Sequence, residues 1–178
     1  WEYLSRFCEF TSYRHKVLIT LGGKVYAMPI NLFTINAFYG KNFTPSEAEA
    51  FLAAEIARVH IEQPANLEEK AVSLIGRPLY DAFIKNYTRK QWGRDPNELP
   101  ASIINRLPFR TCYNMDYFND TWQGEPKDGY FSLFKNMLAH PNITVRLNCD
   151  YASIKDEIPS DATVIYTGMP DELFDYKY

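Results

Sequence analysis

Asn66-Leu67-Glu68-Glu69-Lys70-Ala71-Val72-Ser73-Leu74-Ile75-Gly76-Arg77-Pro78-Leu79-Tyr80, running on through Phe83, Ile84 and Tyr87 to Trp92-Gly93, is the stretch whose reading decides the fold. Asn66 puts a side-chain oxygen just ahead of an apolar periodic run, and Glu68 and Glu69 fall in the first turn, where the helix dipole favours acids. Neighbouring helix positions point in different directions, so these two carboxylates read as capping rather than as a catalytic pair. The helix should stop at Gly76. Arg77-Pro78 should open another, in which Leu79, Phe83, Ile84 and Tyr87 form an apolar stripe. Upstream, Thr44-Pro45-Ser46-Glu47 is a capping box with proline at the first helical position, followed by Phe51, Leu52, Ile56 and Val59 on one face. That helix should run to about His60, making residues 31–92 mostly helical.

On the amino-terminal side, His15 to Leu21 and Lys24 to Pro29 are β-rich and are joined by Gly22-Gly23, which permits the positive φ angles of a tight turn; a hairpin is expected. Trp1, Leu4, Phe7 and Cys8 have helical spacing and read as the last turns of a helix. On the carboxyl side, Asp95-Pro96-Asn97, Leu99-Pro100, Leu107-Pro108 and Gly124-Glu125-Pro126 break any long helix, with Phe109 to Tyr113 strand-like between them. Asp128 to His140 reads as a helix burying Tyr130, Phe134, Met137 and Leu138. Ile143 to Leu147 and Thr163 to Thr167 read as strands.

Composition narrows the function classes. The chain has 178 residues, 46% hydrophobic and 16% aromatic, enough for one folded core. Its 19 basic and 22 acidic side chains are interspersed, giving a net charge of −3 and no field for a nucleic acid. No apolar run approaches the roughly 20 residues that span a bilayer. The first residues, Trp1-Glu2-Tyr3-Leu4-Ser5-Arg6, resemble neither a signal peptide nor a translation start, so the chain is expected to be the middle of a longer one. Cys8, Cys112 and Cys149 are far apart and odd in number, and His15, His60 and His140 have no metal-ligand spacing; a reducing cytoplasm fits, and neither metal nor disulfide is expected. Gly-x-Gly-x-x-Gly is absent from the sequence.

Chemistry concentrates in two places. Asn86-Tyr87-Thr88-Arg89-Lys90-Gln91-Trp92-Gly93-Arg94 sets two large aromatics among three cations at a helix end, a combination suited to a base and its phosphates. The same residues read equally as an amphipathic helix end with a solvated basic face and a core tryptophan. Asn105-Arg106-Leu107-Pro108-Phe109-Arg110, followed by Tyr113, Asp116, Tyr117 and Phe118, puts guanidinium and phenol donors on a loop-rich segment able to hold a diphosphate. Surface ion pairs for the arginines and a half-buried Tyr117 are the alternative.

Asn66 to Tyr80, Tyr87-Thr88-Arg89-Lys90-Gln91-Trp92, Glu98-Leu99-Pro100-Ala101, Arg106-Leu107-Pro108, Asp116-Tyr117-Phe118-Asn119-Asp120, Gln123-Gly124, Asp128-Gly129-Tyr130 and Val164-Ile165-Tyr166-Thr167-Gly168 together resemble the bacterial UDP-galactopyranose mutases in order and spacing. The resemblance covers essentially the whole chain. It implies an α+β fold for a single fragment, residues 1–178: a mostly helical substrate-binding domain over 31–93, with 1–30 and 94–178 forming a helix and antiparallel-sheet portion that returns toward a Rossmann-like FAD domain. The family's glycine-rich turn and flavin-contacting histidine would precede Trp1, and its later arginine and tyrosines would follow Tyr178.

The resemblance further implies an isomerase that interconverts UDP-galactopyranose and UDP-galactofuranose, in which N5 of reduced FAD attacks the anomeric carbon as UDP departs. It gives Tyr87 the role of stacking on uracil, with Phe83 beside it and Asn31 at the uridine end, and counts Thr88 among the substrate-binding residues. Trp92 would lie on the segment closing over the nucleotide. Arg106 would fold over the diphosphate and compensate the leaving group, Tyr117 would hydrogen-bond the same group, and Phe118 would join the substrate-binding residues. The fragment alone would bind UDP-sugar without turning it over; a homodimer, and a non-catalytic nucleotide-sugar or protein-interaction module derived from the mutase, stay open.

Overall fold

The computed structural model describes residues 1–106 and 108–177, with the side chain of Arg106 also outside the description. Val17–Leu21 (β1) and Lys24–Met28 (β2) pair antiparallel, Val17 opposite Met28 and Leu21 opposite Lys24. Gly22 and Gly23 turn the hairpin at φ of 57° and 75°, the positive angles a two-residue turn needs. Leu32–Tyr39 (α1) follows at once, capped by Asn31, and Pro45–Ala57 (α2) opens on the expected capping box: Glu47 Oε2 accepts from Thr44 N at 2.8 Å while Thr44 Oγ1 accepts from Glu47 N at 3.4 Å.

Leu67–Ile75 (α3) is the centre of the molecule. Asn66 Oδ1 accepts from Glu69 N at 2.9 Å, and Leu67, Ala71, Val72 and Ile75 are all buried. Each of the larger three contributes about 1.5–3 kcal/mol by leaving water. Gly76 ends the helix at φ 78° and ψ 160°, a conformation open only to glycine, and a Cβ there would come 3.2 Å from Glu55 Cβ. The next helix covers residues 77–92 in three pieces: Arg77–Leu79 (α4), a π-helical turn over Tyr80–Ile84, and Lys85–Trp92 (α5). Leu79, Phe83 and Ile84 are buried as the stripe requires, but Tyr87 is 63% exposed. Around α3 the core gathers β2, α1, α2, Leu99 and Ile104.

Several expected elements form differently. Residues 1–10 hold only a 3-10 turn at Leu4–Arg6 instead of a helix end, because the chain must extend over residues 9–11 to pair with 125–127, and Trp1 packs on Phe10 at 4.2 Å. Phe109 to Tyr113 is not a strand. It makes two backbone bonds alongside the hairpin exit, Arg110 N to Ile30 O and Cys112 O from Leu32 N, and pairing stops there because α1 begins at Leu32.

Gly129–Met137 (α6) forms where a helix was expected, but Leu133 is the buried residue while Tyr130, Phe134 and Leu138 are exposed and Met137 is half-buried; Asn136 Nδ2 donates to Phe7 O at 2.8 Å and holds that face inward. Ile143 to Leu147 and Thr163 to Thr167 form no strands. A strand needs a neighbour for its backbone groups, and none pairs with them among the described residues. Beyond α6 come only the short helices Tyr151–Ile154 (α7) and Pro170–Leu173 (α8) with a 3-10 turn between them, and no described residue after 140 is fully buried. The described fold is therefore α+β, helices around a two-stranded antiparallel sheet.

Candidate functional site

A cavity of about 460 Å³ lies between the hairpin and the helix over 77–92. Period-2 alternation turns Val17 and Ile19 of β1 toward it, Met28 joins from β2, and Phe83, Ile84 and Tyr87 form the opposite wall. Phe83 is anchored behind the wall, edge-on to Tyr26 at 5.1 Å and to Phe38 at 5.4 Å, so one part of its ring is core while another meets the cavity. Tyr87 lines the cavity while staying 63% exposed. Apolar walls with an aromatic face suit a flat heterocycle.

His15 and Tyr117 also line this cavity. Tyr117 N donates to His15 O at 2.8 Å, the two rings meet edge-on at 5.3 Å, and Tyr13 Oη lies 3.0 Å from His15 Nδ1. His15 also borders a second cavity of about 450 Å³ lined by Tyr13, Phe118, Asp120, Gln123 and Tyr130. His15 thus lines both spaces: an apolar slot, and a cavity that mixes aromatic rings with the Asp120 carboxylate and the Gln123 amide. His15 was given no role from the sequence; the signal that could have found it is its alternation with Tyr13 on the approach to β1.

The loop carrying Tyr117 and Phe118 is shaped by Arg110, which donates to Asn114 O at 3.4 Å, to Asp116 O and to Asn119 Oδ1. Arg110 is therefore committed to the fold. Arg14 reaches Asp116 at 3.6 Å from the hairpin side. Of the cations near Trp92, Arg89 pairs with Asp95 and Arg94 with Glu98, leaving Lys90 without an ion pair among the described residues.

The expected site residues separate into two groups. Phe83, Tyr87 and Tyr117 come together around the first cavity, and Phe118 borders the second, its ring 4.9 Å from that of Tyr117. Asn31 is fully buried instead: its Oδ1 accepts from Thr34 N at 3.1 Å to cap α1, and its Nδ2 reaches Asn114 O at 3.4 Å. Thr88 is the buried residue of α5, and Trp92 is half exposed at the helix end, neither of them lining either cavity. Arg106 ends a 3-10 turn, Ala101–Arg106, and its side chain lies outside the described residues. No cluster of histidine, cysteine or carboxylate among the described residues could hold a metal ion, and no described helix is long and apolar enough to cross a membrane.

A family model described as UDP-galactopyranose mutase matches residues 82–178, more than half of the chain. The chain is 42% identical over 178 residues to the probable UDP-galactopyranose mutase of Klebsiella pneumoniae, with all of this chain and 46% of that protein aligned. To the dTDP-fucopyranose mutase of Escherichia coli it is 36% identical over 182 residues, covering 100% of this chain and 48% of the relative. To the UDP-galactopyranose mutase of Mycoplasma pneumoniae it is 26% identical, covering 99% and 47%. The chain spans about half the length of these curated relatives, and with the family model across helix, loop and carboxyl-terminal segment it belongs to the UDP-galactopyranose mutase family.

Proposed function

We propose that this chain is the nucleotide-sugar recognition part of an enzyme that interconverts UDP-galactopyranose and UDP-galactofuranose in the cytoplasm. The observation that carries the reading is the convergence of Phe83, Tyr87, Tyr117 and His15 on one apolar slot, with His15 also lining a second cavity that includes Asp120 and Gln123. In this reading uracil lies on Tyr87 with Phe83 behind it, the ribose and diphosphate pass Tyr117 and Arg106, and the sugar extends beyond His15 into the second cavity. Stacking fixes the base; the phenol and guanidinium meet charge that grows as UDP departs.

The proposal includes reduced FAD as the cofactor of the whole protein, where it would supply the nucleophile. The residues described here do not fit a dinucleotide cradle: Gly22-Gly23 is used by the hairpin turn, and no parallel strand–turn–helix unit is present among them. No step is assigned to these side chains through the flavin. Their part is to bind the nucleotide, orient the sugar and compensate the diphosphate.

The identity to a dTDP-fucopyranose mutase favours a second reading, with thymine and a 6-deoxyhexose in the same places. Calorimetric titration of UDP and of dTDP into the protein, repeated with Tyr87→Ala, tests both. The proposal expects UDP to bind at least about tenfold more tightly than dTDP and Tyr87→Ala to weaken it by about tenfold or more, the loss of a base–aromatic stack. Preference for dTDP favours the second reading; binding of both that ignores Tyr87→Ala contradicts the site.

A further inference from the structure

Glu68 lies on α3, outside both cavities, yet both of its carboxylate oxygens are engaged by the helix that walls the first one. Arg77 Nη1 donates to Oε1 at 2.6 Å and Tyr80 Oη donates to Oε2 at 2.8 Å. The Arg77 guanidinium carbon also sits 5.4 Å from the centre of the Tyr80 ring, and Tyr80 is fully buried. One carboxylate, one guanidinium and one phenol thus close a triangle at the start of residues 77–92.

The backbone departs from regular helix just there. Lys85 N donates to Tyr80 O across five residues, the bond that defines a π-turn, so the residue whose carbonyl opens the turn is the residue whose side chain Glu68 grips. A π-turn holds one more residue per loop than an α-turn, so every side chain after it is displaced around the axis relative to an unbroken helix. Phe83 lies inside the turn and Tyr87 one turn beyond it. A regular helix would aim both differently.

We propose that Glu68 is a positioning residue for the nucleotide slot: by holding Arg77 and Tyr80 together it fixes the origin of the π-turn, and so the directions in which Phe83 and Tyr87 face a bound base. The inference rests on the nucleotide reading of that slot. Partial burial alone would lift the Glu68 carboxyl; the bonds from Arg77 and Tyr80 outweigh it and hold it below the ordinary glutamate value. Burial, then the bond to Glu68, pushes the Tyr80 phenol well up, so the neutral donor and charged acceptor are the forms present at neutral pH.

The test uses wild type, Glu68→Gln and Tyr80→Phe, with two readouts: amide hydrogen exchange of Lys85 against the amides of α2, and calorimetric titration with UDP. Tyr80→Phe keeps the ring and removes only the hydroxyl, so it stands if Glu68→Gln fails to fold. The expected result is Lys85 exchange about tenfold faster in the variants, α2 amides within about twofold, and UDP affinity about tenfold weaker. A merely structural role would speed α2 and Lys85 together and leave UDP affinity of the folded protein unchanged, which overturns the inference. Absence of UDP binding by wild type instead overturns the nucleotide reading, and Lys85 exchange then decides by itself whether Glu68 sets the turn.

Discussion

Single residues carry more of this site than their positions suggest. Gly76 separates α3 from the helix that walls the cavity, in a backbone region that a side chain resists and with Glu55 Cβ 3.2 Å from any added methyl. Gly76→Ala is expected to cost about 1–3 kcal/mol of unfolding free energy, measured by denaturant titration. Glu68 gives a pH prediction with a definite sign. Its carboxyl is lowered in the folded protein, so its contribution is complete above the unfolded glutamate value of about 4.3 and fades as pH falls toward the lower folded value. Wild type should therefore lose more stability than Glu68→Gln between about pH 5 and pH 3, when unfolding is followed by circular dichroism across that range.

Elements show where the sequence was legible and why. Both helix starts are local: Thr44 with Glu47, and Asn66 with Glu69, satisfy backbone donors within three residues, and both formed as read. Thr44→Ala should cost about 1 kcal/mol by the same denaturant measurement. The hairpin was equally local, its turn set by Gly22-Gly23. Elements that depend on distant partners were not legible. Phe109 to Tyr113 has strand composition, but the chain beside it turns into α1 after two bonds. α6 had its length read closely and its buried side wrong, since the contact with Phe7 that selects Leu133 lies 129 residues away. The π-turn is invisible to periodicity because it changes the period itself. Phe83, Tyr87 and Tyr117, singled out by family resemblance, line the first cavity, and His15, given no role from the sequence, lines it too; a single histidine ahead of β1 carries only its alternation with Tyr13 as a signal.

At the scale of the whole molecule, order is unevenly distributed. The buried core lies between Tyr26 and Ile104, with Leu133 as a satellite, whereas residues 141–177 carry Leu147 at 81% and Ile165 at 84% exposure. Amides there should exchange at least about a hundredfold faster than those of α3, because local opening exposes little apolar surface. The site follows the same division: its first cavity is built on the core side, from β1, β2 and the 77–92 helix, and its second borrows loop residues from 118 to 130. In the proposed reading, recognition of the base is therefore the more rigid part of the function and placement of the sugar the more adaptable part.

Methyl and aromatic NMR spectra recorded while UDP is added to the protein test the central claim most directly. The account predicts saturable shifts at Val17, Ile19, Ile84, Phe83, Tyr87, Tyr117 and His15, with α2 unmoved. Shifts that saturate but cluster away from the slot between the hairpin and the 77–92 helix would contradict it.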